Sequence, residues 1–121
     1  MADKKTLVLG ATTSEGRYAN LASNRLVSKG YSIVNVGLRD GEVAGVPIEK
    51  PEVIHTDIDT ITLYVGPAHQ EELYDYILKT KPKRIIFNPG TENPKLRRMA
   101  NEQGIKTEYA CTLVLLSVGE Y

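Results

Sequence analysis

Short apolar runs alternate along this chain with segments in which apolar residues recur at helical spacing. The runs predict five strands, at residues 6–10, 31–36, 60–65, 84–87 and 105–109. The periodic segments predict helices at residues 17–29, 69–80 and 94–103. The last apolar run, residues 112–118, is compatible with a helix or a further strand, and we favour a helix.

This alternation predicts an α/β fold with a three-layer, Rossmann-like, doubly wound sheet that is mostly parallel. We expect the strand order 3-2-1-4-5, with the five strands numbered along the chain. Residues 37–57 contain three glycines and two prolines without sustained periodicity, so we expect a long connection there, with a short extended piece at residues 46–48. We expect residues 1–121 to form a single domain.

Composition argues against several classes of partner. Fifteen Lys and Arg residues balance fifteen Asp and Glu residues, so no long-range field favours nucleic acid or an anionic membrane. One cysteine cannot form a disulfide within the chain, and two histidines with one cysteine give no metal-site spacing. No stretch reaches the roughly 18 apolar residues of a membrane span. We expect a cytoplasmic protein without a metal site.

The segment between the first strand and the first helix is the best candidate for a binding site. It reads Gly10-Ala11-Thr12-Thr13-Ser14-Glu15-Gly16-Arg17. Glycine at a strand end lets the backbone turn sharply, and a helix N-terminus presents free N–H groups to an anion. The hydroxyl side chains and the Arg17 guanidinium add donors for phosphate. The alternative is that Gly10 merely ends a strand and the Thr/Ser run caps a helix.

The other strand ends carry glycine as well. In the predicted sheet the strand order reverses between strands 1 and 4. The ligand crevice of an open α/β sheet forms at such a point. Segments 37–39, 66–67 and 88–91 come directly after strands 2, 3 and 4. From them we expect the following residues to join the first turn in a cofactor site: Gly37, Arg39, Pro67, Asn88 and Gly90.

The residues after the second strand narrow the choice of nucleotide. A dinucleotide site would have an acidic residue there for the ribose hydroxyls, and this chain has Val36 and Gly37 instead, which disfavours NAD. Arg39 is placed to bind the 3′-phosphate of coenzyme A (CoA) or the 2′-phosphate of NADP. A solvated surface arginine is the alternative for this residue.

Four segments together resemble the small CoA-binding-domain family, which is itself similar to the N-terminal domain of the succinyl-CoA synthetase α subunit. They are residues 10–18 (GATTSEGRY), 29–36 (KGYSIVNV), 44–48 (AGVPI) and 87–93 (FNPGTEN). The resemblance implies a Rossmann-like fold that binds CoA between the first turn and the ends of strands 2 and 3. The residues it implies in the site are Gly10, Ala11, Thr12, Gly16, Arg17, Arg39 and Pro67.

The chain departs from the family at two strand ends. Relatives typically have Asn-Pro where this sequence has residues 36–39, VGLR, and often have Gln before the glycine of residues 88–90, NPG. The phosphorylated histidine of the synthetase belongs to a second domain, so the resemblance gives no such role to His55 or His69, which we expect on the surface. We expect Cys111 in the core and Glu92 near a helix cap.

Three functional classes stay open. The first is a non-catalytic module that binds CoA or an acyl-CoA, which fits the absence of a convincing catalytic constellation in the sequence. The second is an NAD(P)-dependent oxidoreductase or nucleotide sensor. The third is a scaffold or interaction subunit with a vestigial site, whose apolar run 113–116 contacts a protein partner or a second copy of the chain.

Overall fold

A computed structural model describes residues 3–121. Strands and helices alternate except across residues 33–63, where four strands follow one another. The α/β class is confirmed, and the last segment is a helix as expected. The strands are β1 (Thr6–Leu9), β2 (Ile33–Val36), β3 (Glu42–Val43), β4 (Val46–Glu49), β5 (Thr60–Leu63), β6 (Arg84–Phe87) and β7 (Lys106–Tyr109). The helices are α1 (Tyr18–Ser28), α2 (Pro67–Gln70), α3 (Tyr74–Thr80), α4 (Pro94–Glu102) and α5 (Thr112–Ser117), with a 3₁₀ turn at Glu71–Leu73.

Within residues 3–121 the sheet has seven strands in the order β3-β4-β2-β1-β5-β6-β7. All neighbouring strands run parallel except β3 and β4, which form an antiparallel hairpin. The expected five strands and their order 3-2-1-4-5 are therefore wrong in detail. β4 occupies the place beside β2, and β5 pairs with β1 instead, with Thr6 opposite Thr60.

The hairpin accounts for the error. Ala44 and Gly45 both have positive φ, at 54° and 80°, which is the backbone of a tight two-residue hairpin turn. Pro47 lies in β4 before the residues that pair with β2, so its missing N–H costs the main sheet nothing. When β4 is counted as the third strand, the parallel strands have the order 3-2-1-4-5-6, which is the doubly wound Rossmann order.

The core has two apolar layers, one on each face of the sheet. Because successive strand residues point to opposite faces, Leu7 and Leu9 pack with α3 and α4, whereas Val8 packs with α1 and α5. All four residues of β1, β2 and β5 are buried, as expected for strands covered on both faces. Within residues 3–121, no helix has the length and apolar character to cross a membrane.

Asn88, directly after β6, fastens three elements together. Its Nδ2 donates to Thr62 Oγ1 at 2.8 Å and to the Leu63 carbonyl oxygen at 3.0 Å, and its Oδ1 accepts from the Thr112 N–H at 2.8 Å. The side chain is 1% exposed. Asn88 therefore joins the ends of β5 and β6 to the start of α5.

We predict that Asn88→Ala lowers the free energy of unfolding by about 2 to 4 kcal/mol, because it leaves buried donors and acceptors without partners. Urea denaturation measures the change. Asn24→Ala is the matched control, since Asn24 is exposed on α1 and should change stability by less than about 1 kcal/mol. Equal losses for the two variants would contradict this role of Asn88.

Candidate functional site

A cleft of about 680 Å³ lies at the carboxyl ends of the parallel strands. It opens at the point where the strand order reverses, between the parallel strands β1 and β5, as ligand crevices of open α/β sheets do. Its volume falls in the range usual for small-molecule sites. The walls are residues 9–14, 17–19, 36–40, 48, 51, 64–66, 69, 72, 73 and 89–91.

The first turn is held against the end of β2 by a shared acceptor. The backbone N–H groups of Gly10 and Ala11 both donate to the Val36 carbonyl oxygen, at 2.8 and 2.9 Å. Gly10 has φ +101°, and a Cβ on it would lie 3.0 Å from the Tyr64 carbonyl carbon. A Cβ on Gly37 would lie 2.5 Å from the Ala11 carbonyl oxygen. These two glycines permit the close approach of β1, β2 and β5 at the base of the cleft.

Beyond this clamp, the N–H groups of Ser14 and Arg17 donate to Thr12 Oγ1 and to the Ser14 carbonyl oxygen, and the other amides of the turn have no acceptor within the described residues. Among residues 3–121, the N–H groups of Thr12, Thr13, Glu15 and Gly16 donate to no acceptor. The Thr12 carbonyl accepts from Asn20 Nδ2 at 3.0 Å and is thereby tied to α1. The turn thus presents a run of free N–H donors, which is the arrangement that binds anions.

The N-terminus of α1 is uncapped by any side chain. Its N-cap residue is Arg17, which makes no capping hydrogen bond. Within the described residues, the one bond between a Thr/Ser side chain and the backbone of this turn is donated by the Ser14 N–H to Thr12 Oγ1 at 3.2 Å. The Thr/Ser run therefore does not cap α1. The free N–H groups of the first helical turn and the positive end of the helix dipole remain available to a ligand.

Two arginines line the cleft without carboxylate partners. Arg17 and Arg39 are exposed, and neither forms an ion pair with any residue of the described range 3–121. Two carboxylates also line it, Asp40 and Glu72, and Asp40 lies 3.8 Å from Lys50. Arg17 and Arg39 are thus the cationic side chains of the cleft that have no ion pair within the described residues.

Most of the sequence-predicted residues meet in this cleft. Those that line it are Gly10, Ala11, Thr12, Thr13, Ser14, Arg17, Gly37, Arg39 and Gly90. Gly16 is exposed beside the lining, and no atom lies within 4 Å of the place a Cβ would take. Pro67 begins α2 and is exposed outside the lining, and the side chain of Asn88 is occupied by its bonds beneath it. Contact with a ligand remains a prediction for all of them.

Sequence reasoning missed the wall formed by Tyr64, Val65, His69 and Leu73. This wall results from the pairing of β5 with β1, so the assumed strand order concealed it. Gln70 holds the wall in place, because its Nε2 donates at 2.8 Å to the carbonyl oxygens of both Val65 and Thr91.

Other expectations need correction. His69 is exposed, as expected, and it also borders the cleft. His55, which we expected on the surface, is half-buried, and its Nε2 lies 2.9 Å from Glu49 Oε2. Cys111, which we expected in the core, is half-buried at the N-cap of α5. Asn93, and not Glu92, caps α4, since its Oδ1 accepts from the Leu96 N–H at 3.2 Å.

Glu92 has a different role at the rim of the cleft. Its Oε1 accepts from the Gly90 N–H at 2.9 Å, so this amide is already satisfied within the protein. No cluster of three His, Cys, Asp or Glu residues suited to a metal ion occurs in the part of the chain described.

The chain matches the model of a CoA-binding domain over residues 4–117. The chain belongs to the CoA-binding domain family. The resemblance drawn from the four sequence segments is thus confirmed. No curated protein matches the chain.

Solved structures share the fold of this CoA-binding-domain chain. A protein described as uncharacterized is 49% identical over 100% of both chains, with a TM-score of 0.97. A hypothetical protein from Pyrococcus horikoshii OT3 is 26% identical, with a TM-score of 0.79 over 93% of this chain and 80% of that one. A Thermus thermophilus protein at 19% identity has a TM-score of 0.85 over 98% and 91% of the two chains.

Tyr64, a residue of the cleft wall, has a buried phenol hydroxyl near Thr62 and Thr112. Its hydroxyl oxygen is buried and makes no hydrogen bond with residues 3–121, and burial raises the pKa of Tyr64 to about 12. Because the folded state favours the neutral phenol, this stabilising contribution is complete below pH 10 and is lost as the pH rises towards 12.

We predict that Tyr64→Phe reduces the loss of stability between pH 9 and pH 12 by up to roughly 2 to 3 kcal/mol, because no phenolate then has to be buried. Urea denaturation across this pH range measures it. Tyr18→Phe is the control, since Tyr18 is 71% exposed and the variant should keep the wild-type alkaline profile. An unchanged profile for Tyr64→Phe would show that the pKa of Tyr64 is the same in the folded and unfolded states.

Proposed function

We propose that this protein is a single-domain module that binds coenzyme A or an acyl-CoA in the cleft, with the diphosphate on the first turn. The observation that carries the proposal is the set of free backbone N–H groups at residues 12, 13, 15 and 16 beside an uncapped α1. A diphosphate offers several anionic oxygens to such a set of donors. Membership in the CoA-binding domain family supports CoA as the nucleotide.

The charged side chains give each end of the nucleotide a partner. Arg17, the N-cap of α1, can add a planar fork of donors to the diphosphate. Arg39 comes after β2 and lines the cleft next to Leu38, and we assign to it the 3′-phosphate of the adenosine end. Together the two guanidinium groups match a ligand with phosphates at two separate places.

The end of β2 favours CoA over NAD. β2 ends at Val36 and is followed by Gly37. The acidic residue that binds ribose hydroxyls in dinucleotide sites is therefore missing at this position. Asp40 lies farther along the loop, and its exposed carboxylate is 3.8 Å from Lys50. NADP carries a 2′-phosphate that Arg39 could bind in place of the 3′-phosphate of CoA. NADP is therefore the competing ligand to be tested.

We propose binding without chemistry in this chain alone. The cleft side chains nearest the free amides are hydroxyls and a guanidinium group, which are suited to holding an anion. We also assign the protein to the cytoplasm, because an unpaired cysteine suits a reducing compartment.

Calorimetric titration with CoA, acetyl-CoA, NADPH and NADH tests the ligand. We expect CoA and acetyl-CoA to bind below millimolar concentration and to raise the melting temperature, since a ligand of the folded state stabilises it by mass action. No binding of either at about 1 mM would contradict the proposal. Binding of NADPH without CoA would establish the nucleotide-sensor or oxidoreductase alternative, and binding of none would favour a scaffold with a vestigial site.

We predict that Arg17→Ala weakens CoA binding by about 1 to 3 kcal/mol, because it removes charge-assisted hydrogen bonds to phosphate. This corresponds to a roughly 5- to 150-fold higher Kd in the same titration. Arg25→Ala removes an equal charge from the exposed far end of α1 and should leave the Kd unchanged. Equal Kd values for Arg17→Ala and the wild type would remove Arg17 from the site.

A further inference from the structure

In the part of the chain that the structure describes, the sheet has an open edge at β7. β7 pairs with β6 on one side and is the last strand in the sheet order. Its sequence is Lys-Thr-Glu-Tyr, and Tyr109 at its end is 41% exposed. An open edge presents unpaired N–H and C=O groups to any strand that can match them.

The bonds between β6 and β7 show which backbone groups point outwards. The Lys106 N–H donates to the Lys83 carbonyl oxygen at 3.0 Å, and the Ala110 N–H donates to the Phe87 carbonyl oxygen at 3.2 Å. Because backbone groups of a strand alternate in direction, residue 108 also faces β6. The N–H and C=O groups of Thr107 and Tyr109 therefore face away from the sheet.

These outward groups fit a second β7 that runs antiparallel about a two-fold axis at Thr107. Thr107 and Thr107 of the second copy would exchange both of their backbone bonds, and the Tyr109 N–H would donate to the Ile105 carbonyl oxygen of the other copy. The Ile105 N–H already donates to the Ala100 carbonyl oxygen at 3.0 Å, so a register centred on Ile105 is blocked.

The same register matches the side-chain charges. It places Lys106 directly opposite Glu108 of the second copy, twice across the axis, at a close, non-hydrogen-bonded position of the ladder. Glu108 Oε2 is 3.2 Å from Arg84 Nη1, yet its side chain is 42% exposed and open to a second cation. A register centred on Tyr109 would instead put Glu108 opposite Ala110 and lose these pairs.

The helix beside the edge offers complementary charges as well. Thr107 Oγ1 donates to Asn101 Oδ1 at 3.0 Å, which places α4 at the level of the axis. Arg98 and Glu102, exposed and one turn apart on α4, line an open groove of about 580 Å³ that Tyr109 also borders. A two-fold neighbour would bring groups of opposite charge towards each end of this pair.

We propose that two copies of this chain associate through β7, antiparallel and centred on Thr107, to form one continuous sheet. The interface is short, so we expect a weak, concentration-dependent dimer. The nucleotide cleft opens between β1 and β5, two strands away from β7, and stays accessible in each copy.

Sedimentation equilibrium tests the register through charge. We expect wild type to dimerise and Lys106→Glu, which sets like charges opposite each other twice, to associate at least about tenfold more weakly. An equimolar mixture of Lys106→Glu and Glu108→Lys should regain association, since each strand then meets opposite charges. Lys29→Glu, exposed after α1, is the matched control and should behave as wild type. A monomeric wild type at about 1 mM, or wild-type association of Lys106→Glu, would overturn the proposal.

Hydrogen exchange on the wild-type protein gives an independent test that needs no variant. The Thr107 and Tyr109 amides should exchange fast in dilute solution and several-fold more slowly at high protein concentration. The Lys106 amide, which is bonded to β6, should stay protected at both concentrations. Concentration-independent exchange at Thr107 and Tyr109 would overturn the proposed pairing.

Discussion

The Val36 carbonyl oxygen is the point on which the candidate site depends. By accepting from the N–H groups of both Gly10 and Ala11, it satisfies the first two donors after β1 and fixes where the turn leaves the sheet. Gly37 allows this approach, because any side chain there would collide with the Ala11 carbonyl oxygen. The next donors, the N–H groups of Thr12 and Thr13, have no acceptor among residues 3–121 and belong to residues that line the cleft. We therefore propose that backbone geometry alone makes this turn an anion site, before any charged side chain contributes.

Sheet topology determines what surrounds this turn. The β3–β4 hairpin fills the place beside β2, so the chain must cross to the other side of β1 for β5. That crossing creates the crevice and brings the Tyr64–Gly66 segment opposite the first turn. Gln70 and Asn88 then fix the ends of β5 and β6 with buried hydrogen bonds, which keeps the far wall of the cleft in a defined position. The site thus combines a first turn that is fixed by the Val36 carbonyl oxygen with a wall that is fixed by Gln70 and Asn88.

Sequence periodicity predicted the main strands and helices wherever a buried face shows its pattern. The single helix expected over residues 69–80 was wrong in detail, because the 3₁₀ turn Glu71–Leu73 divides it into α2 and α3. It did not predict the hairpin as paired strands, since β3 has two residues, β4 contains Pro47, and the turn is Ala44-Gly45 without the usual Asn or Asp. The first turn was predictable because a glycine between a buried strand and a helix is typical of a sharp, anion-binding turn. His69 and Leu73 were not predictable as cleft residues, because their placement depends on which strand lies beside β1.

The central claim is that the free backbone amides of the first turn bind the phosphates of CoA. Amide chemical shifts measured by ¹⁵N–¹H NMR during titration with CoA test it residue by residue. The account predicts large, saturable shifts for Thr12, Thr13, Glu15 and Gly16, with smaller shifts for Gly10 and Ala11, whose N–H groups stay bonded to Val36. CoA binding that leaves those four amides unmoved and shifts only distant ones would contradict it.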